Sequence, residues 1–406
     1  MHSIYSEASL TIVAAAGNNP DYGLPGVSSR SRRPQKLVQV GEHAIVEMYP
    51  YICSSLQSSR WGSRAWTYQE GFLSSRRLIF DDQQVSLVCA DAFYAESFTH
   101  RVEHLQINED LNFSSLFFNT ANHSRLRPDK LIRKCVEEYT KRSLSHDSDA
   151  LSACLGIFNR FFASHGGAQI WGATLFPPRL TMELAWYHPS PVCRRDDFPS
   201  WSWLGWKGPV RHNPRWDTEF PMLHVQVSVN GQWMSLDDYL LFGMNTTTKP
   251  WDAPRFLKLS GSFVSLNLFD GVPPALKDVE ECPEVGFHAL LALSEHVSQA
   301  LRIYPDSDSL KKENLARCVA LVAGLRKWTD LSWHFHCLLL EPVGDIFQRV
   351  GIASSIIPGF EPHQLLCDPS GRTRVHDDSM DLMGQYKITW TPLWESDAKR
   401  GSIVVE

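Results

Sequence analysis

The chain has 406 residues, 43% of them apolar and 21% charged, with a formal net charge of −6. That length accommodates two or three domains and a substantial core, and the composition is that of an ordinary globular protein. The acidic balance argues against a general nucleic-acid binder, which needs a basic surface facing the phosphates.

Nine cysteines (53, 89, 135, 154, 193, 282, 318, 337 and 367) are scattered, odd in number and never spaced C-x-x-C. Such usage fits reduced thiols in the cytoplasm better than a disulfide framework or a zinc site. No basic leader precedes a long apolar run, and no segment approaches ~20 uninterrupted apolar residues, so a membrane span is not expected.

In chain order, residues 2 to 16 read as the end of a helix entering a buried apolar strand, stopped by the turn chemistry of Gly17-Asn18-Asn19-Pro20-Asp21. The basic run Arg30-Ser31-Arg32-Arg33-Pro34-Gln35-Lys36 reads as a solvated loop. Alternation around Val38, Val40, Ile45 and Val46, broken at Gly41-Glu42, predicts a hairpin over 37 to 49. Trp66, Gln69, Glu70 and Leu73 fall on one face of a short helix over 66 to 73. Residues 77 to 80 and 85 to 89 flank Asp81-Asp82-Gln83-Gln84 as a second hairpin.

Residues 91 to 127 lack a sustained period and read as an irregular connection. Pro128 opens a helix to about residue 142, and Asp147 or Ser148 caps a second to about residue 163; the two are expected to pack together. Beyond His165-Gly166-Gly167 come short strands at 223 to 229, 239 to 244, 256 to 268, 318 to 322, 333 to 340 and 347 to 352. Their spacing predicts an antiparallel sheet or sandwich.

Two blocks carry a family resemblance. Arg60-Trp61-Gly62-Ser63-Arg64-Ala65-Trp66-Thr67-Tyr68-Gln69-Glu70-Gly71-Phe72-Leu73-Ser74-Ser75-Arg76-Arg77 resembles the closing signature of the fungal heterokaryon-incompatibility (HET) domain, W-x-x-R-x-W-T-x-Q-E-x-x-L-S-x-R. Residues 4 to 17, followed by Gly23-Leu24-Pro25-Gly26-Val27, resemble the middle of that domain. Residues 139 to 157 and Pro199-Ser200-Trp201-Ser202-Trp203 resemble segments that follow it.

By this resemblance the chain looks like the C-terminal half of a HET domain over 1–90. An irregular connection (91–127), a helical pair (128–165) and a Trp-rich, β-rich region (166–406) follow. The implied fold class is α+β: a partial α/β, TIR-like remnant, the helical pair, then antiparallel sheet. The implied function is non-self recognition and programmed cell death in fungi, with a protein partner. The resemblance also implies the site residues. Glu70 is the catalytic candidate, supported by Trp61, Arg64, Trp66 and Gln69, with NAD as the substrate of the complete domain. An NAD-glycohydrolase-like activity is expected only with the front half of the domain present, since a nucleotide site is built at the carboxyl ends of its first parallel strands.

A carboxylate in a partly apolar cleft can stabilise developing positive charge or act as a base, because desolvation raises its pKa. The plainer expectation is that Glu70 pairs with Arg60 or Arg64 and fixes the fold.

Other candidates read as structural. His334 and His336 share one strand face, but no third metal ligand is evident. Ser145-His146-Asp147 is a helix cap rather than a triad. The tryptophans at 201, 203 and 206 read first as core, and otherwise as a protein- or carbohydrate-binding stripe, the basis of an alternative reading as a non-catalytic binding module. No cofactor fingerprint is present: G-x-S-x-G, H-E-x-x-H, the P-loop and G-x-G-x-x-G are all missing.

Overall fold

The computed structural model describes residues 2–50, 52–89, 93–97, 128–175, 183–212, 220–221, 223–243, 250–264, 266–269, 287–294, 297–307, 317–329, 332–358, 375–380, 386–389 and 399–406. Two compact units divide at Gly166/Gly167. The fold is mixed helix and sheet, as the α+β expectation has it.

The first unit begins with α1 (His2–Glu7) and β1 (Thr11–Ala14), then the hairpin β2 (Leu37–Val40) and β3 (His43–Val46). Next come α2 (Ile52–Ser58), α3 (Arg60–Ser63) and α4 (Ala65–Leu73), which lead into β4 (Arg76–Phe80), β5 (Val85–Cys89) and β6 (Phe93–Ala95). Strands β1, β4, β5 and β6 form one sheet in that order. Only β1 and β4 run parallel, with Thr11 opposite Arg77 and Ala14 opposite Phe80. Helices α2 to α4 therefore make the crossover that a parallel pair requires.

Two expectations change here. β1 is an edge strand, with Val13 buried but Ile12 58% exposed, because its outer side has no partner strand among the described residues. Residues 93–95, placed in an irregular connection by sequence, pair with β5 as β6. The remainder of 98–127 lies outside the described residues. The basic run lies in a largely exposed loop, as expected, and makes surface contacts there: Arg30 stacks on Tyr22 at 4.1 Å, Arg32 pairs with Glu96, and Arg33 meets Glu47 at 2.9 Å.

α5 (Pro128–Thr140) and α6 (Ser152–His165) belong to this same unit. In α5, Leu131, Ile132, Cys135, Val136 and Tyr139 recur at helical spacing and all are buried. A 3₁₀ turn at Asp147–Asp149 precedes α6, so the residue before its first turn is Leu151, which makes no side-chain cap. α6 ends at Gly166, whose φ of +70° suits glycine and whose N–H reaches the Phe162 carbonyl at 2.8 Å. Both helices pack on α4.

The second unit starts with the short pairs β7 (Ala168–Ile170) with β8 (Ala173–Leu175), β9 (Trp186–Tyr187) with β12 (Arg211–His212), and β10 (Cys193–Arg194) with β11 (Trp206–Lys207). Among the described residues its main sheet has eleven strands. These are β13 (Phe220–Pro221), β14 (His224–Val229), β15 (Gln232–Ser235), β16 (Leu257–Val264), β17 (Leu266–Phe269), β18 (Phe287–Ser294), β19 (Val297–Pro305), β20 (Val319–Thr329), β21 (Ser332–Val343), β22 (Ile346–Pro358) and, beyond the separate hairpin β23 (Val375–Met380) with β24 (Tyr386–Thr389), β25 (Lys399–Val405). The long path runs β15-β14-β16-β20-β21-β22-β19-β18-β17, antiparallel throughout, and the antiparallel β-rich expectation holds. Cys337, Leu338, Leu339 and Leu340 are buried consecutively, so β21 is covered on both faces there.

The expected strand at 239 to 244 is helical instead. Ser235 Oγ accepts from the Asp238 N–H at 3.1 Å, and this cap, with Asp237 and Asp238 in the first turn, starts a helical segment that continues through Tyr239–Gly243.

Tryptophans fill the core beside this sheet. Trp201, Trp203 and Trp206 are buried, and each indole N–H finds a carbonyl: Arg255 at 2.8 Å, Gly172 at 3.0 Å and Ser200 at 2.8 Å respectively. An exposed sugar-binding stripe is thereby removed from consideration. His334 and His336 are also buried, and no cluster of three metal-ligating side chains occurs among the described residues. Burial, with His334 alongside, pushes His336 down to about 3.

Candidate functional site

The signature occupies α3, α4 and the start of β4, and most of its side chains are committed to packing. Gly62 is required by space: a Cβ there would lie 1.8 Å from the Leu56 carbonyl oxygen. Ser59 seals the same corner, accepting from the Gly62 N–H at 2.9 Å and donating to the Leu56 carbonyl at 2.7 Å. The Thr67 hydroxyl turns back to the Arg64 carbonyl at 2.7 Å, tying α4 to the preceding bend.

Two signature residues fasten α4 to α6 and the turn before it. Trp66 donates its indole N–H to Asp149 Oδ2 at 3.1 Å. Gln69 is buried; its amide oxygen accepts from the Gly156 N–H at 3.2 Å and its amide nitrogen reaches the Ser152 carbonyl at 3.4 Å. Gln69 therefore faces α6 and does not orient Glu70, which is the next residue and projects about 100° away around the helix. Tyr68 is fully buried against Tyr139, with the Arg142 guanidinium 4.5 Å from its ring centre. The buried Arg77 donates to the Gly71 carbonyl, and burial lowers its pKa to about 10.

Glu70 is different. Its backbone carbonyl accepts from Ser74 Oγ at 2.7 Å, and Ser74 in turn meets Thr11 on β1. Its carboxylate is half-buried on the side of α4 that meets α1. There the Tyr5 hydroxyl donates to it. Burial raises the carboxyl pKa, while the Tyr5 hydrogen bond and the positive Arg64 act in the opposite direction. Tyr5 is raised in turn, first by burial and then by the adjacent carboxylate.

No ion pair joins Glu70 to Arg60 or Arg64 among the described residues; Arg64 acts on it only through space. Trp61 is partly exposed on α3, and its carbonyl is also reached by the Thr67 hydroxyl. Ser145 and His146 are exposed on the turn before α6 and form no triad.

The arrangement thus separates a structural set, Gly62, Trp66, Thr67 and Gln69, from a polar set, Tyr5, Arg64 and Glu70. Sequence reasoning missed Tyr5. It lies on the one helix preceding β1, and nothing in its local spacing marks it as a partner of a residue so distant in sequence.

Residues 1–70 match the family model described as Heterokaryon incompatibility protein (HET). This segment is therefore similar to the HET domain. The match ends at Glu70, so it takes in α1 to α3, most of α4 and all three members of the polar set. No curated protein and no solved structure matches the chain. No helix among the described residues is long and apolar enough to cross a membrane.

Proposed function

We propose that this HET-domain chain acts in fungal non-self recognition and drives programmed cell death, with Glu70 as the residue that carries the chemistry. The observation behind this reading is that the HET segment contains one acidic signature side chain not consumed by packing. Glu70 is half-buried with a raised pKa, whereas Gln69 and Trp66 are committed to α6 and Asp149. A carboxylate so placed suits stabilisation of a positively charged transition state, the kind formed when the nicotinamide glycosidic bond of NAD breaks. Under this reading NAD is a substrate of the complete TIR-like domain, not a resident cofactor, and the β-rich unit serves recognition of a protein partner in the cytoplasm.

The alternative of a carbohydrate-binding module has little support, since Trp201, Trp203 and Trp206 are enclosed and their indole N–H groups are already bonded. The test is viability and cellular NAD in a fungal host expressing the chain joined to the front half of a full-length HET domain. Glu70→Gln is expected to restore both while the protein still accumulates.

A further inference from the structure

The second unit holds a buried polar cluster unrelated to the HET signature. Arg349 on β22 is its centre: Nε meets Asp306 Oδ2 at 3.0 Å, one terminal nitrogen donates to the Leu184 carbonyl at 2.6 Å, and the other donates to the Trp186 carbonyl. The guanidinium carbon sits 3.3 Å from the centre of the Trp186 ring. His188 stands edge-on to Trp186 at 5.3 Å between ring centres, and its Nδ1 lies 2.8 Å from the Pro209 carbonyl. Trp186, His188, Asp306 and Arg349 are each no more than 2% exposed.

Three polar atoms of this cluster are buried without a hydrogen-bond partner among the described residues: Trp186 Nε1, His188 Nε2 and Asp306 Oδ1. Their chemistry is complementary in a specific way. A carbonyl only accepts, so His188 Nδ1 carries the ring proton, and in the neutral imidazole Nε2 is a bare acceptor. Asp306 Oδ1 is a second acceptor, because Arg349 is bonded to the other oxygen. Trp186 Nε1–H is a donor. No direct ion pair joins His188 to Asp306, although the carboxylate charge acts on the imidazole.

A ligand for this set must donate twice and accept once. A metal ion or ammonium would face the indole N–H, and an anion would face the Asp306 carboxylate. Water meets all three demands, and three partners are what a buried water ordinarily has. We propose that the Trp186, His188 and Asp306 cluster is an internal water site, the water donating to His188 Nε2 and Asp306 Oδ1 and accepting from Trp186 Nε1. It would link β9 to the end of β19 and, through Arg349, to β22. This inference is independent of the HET reading.

The test is NMR on the full chain labelled with ¹⁵N at tryptophan and histidine. The expected result is a His188 ring protonated at Nδ1 only at neutral pH, and a direct cross-relaxation peak between Trp186 Hε1 and a long-lived water. Protonation at Nε2, or a Trp186 Hε1 with no contact to water, would overturn the proposal.

Discussion

Replacing Gly62 by alanine tests the claim that the signature is first a packing device. The new Cβ would lie 1.8 Å from the Leu56 carbonyl oxygen and 3.2 Å from Ser59 Oγ. The first contact is with backbone, so no rotamer change relieves it, and α3 must move away from the end of α2 by more than 1 Å for an ordinary contact near 3.4 Å. That movement breaks the Ser59 cap, which holds the Gly62 N–H at 2.9 Å. Losing a cap costs about 1 kcal/mol, and overpacking of this kind costs about 1–3 kcal/mol, for a total of roughly 2–4 kcal/mol. A domain holds only about 5–15 kcal/mol in all, so the effect is readily measured. Urea unfolding of the wild type and Gly62→Ala, followed by circular dichroism, gives the number. An alanine variant within about 0.5 kcal/mol of wild type would refute the reasoning, since such a value is typical of an unconstrained surface site.

Trp66→Phe keeps the ring but loses the indole bond to Asp149, and should destabilise the chain by about 1–2 kcal/mol in the same assay. Arg349→Met strands the buried Asp306 carboxylate and should cost about 3–5 kcal/mol, read as a drop in thermal midpoint. His188 and His336 are both held below their ordinary pKa by burial, His336 at about 3. Each therefore stays neutral in the fold while the unfolded chain takes up a proton below about pH 6.5. The contribution of each is complete above that pH and is lost as pH falls, for His336 down to about 3, at up to about 1.4 kcal/mol per pH unit per group. Stability measured against pH should fall less steeply below pH 6.5 in His336→Gln than in wild type.

The local elements were legible because their signals are local. The hairpin at 37–46 follows from alternation around Gly41-Glu42, and α5 from Pro128 and its apolar stripe. The parallel pairing of β1 with β4 joins residues more than sixty apart, with three helices between, so no window of sequence could place β1 at an edge. The helical stretch after Ser235 has a local signal, since Ser235-Leu236-Asp237-Asp238 is a capping pattern, but the apolar run Tyr239-Leu240-Leu241-Phe242 that follows suits a strand as well. At the candidate site, the signature located Glu70, but its neighbours came from the fold. Tyr5 arrives through the packing of α1 on α4, and Gln69, adjacent in sequence, turns away to α6.

The raised pKa of Glu70 means that its ionised form is unfavourably buried, so Glu70→Gln should fold at least as well as wild type at neutral pH. That separates a chemical role from a structural one. The most direct measurement is viability and NAD content in a fungal host expressing the chain joined to a HET front half, either unchanged or carrying Glu70→Gln, with accumulation checked by immunoblot. The account predicts cell death and NAD loss with Glu70, and survival with undiminished NAD when the equally abundant Glu70→Gln variant is expressed. Equal killing by both forms would contradict it.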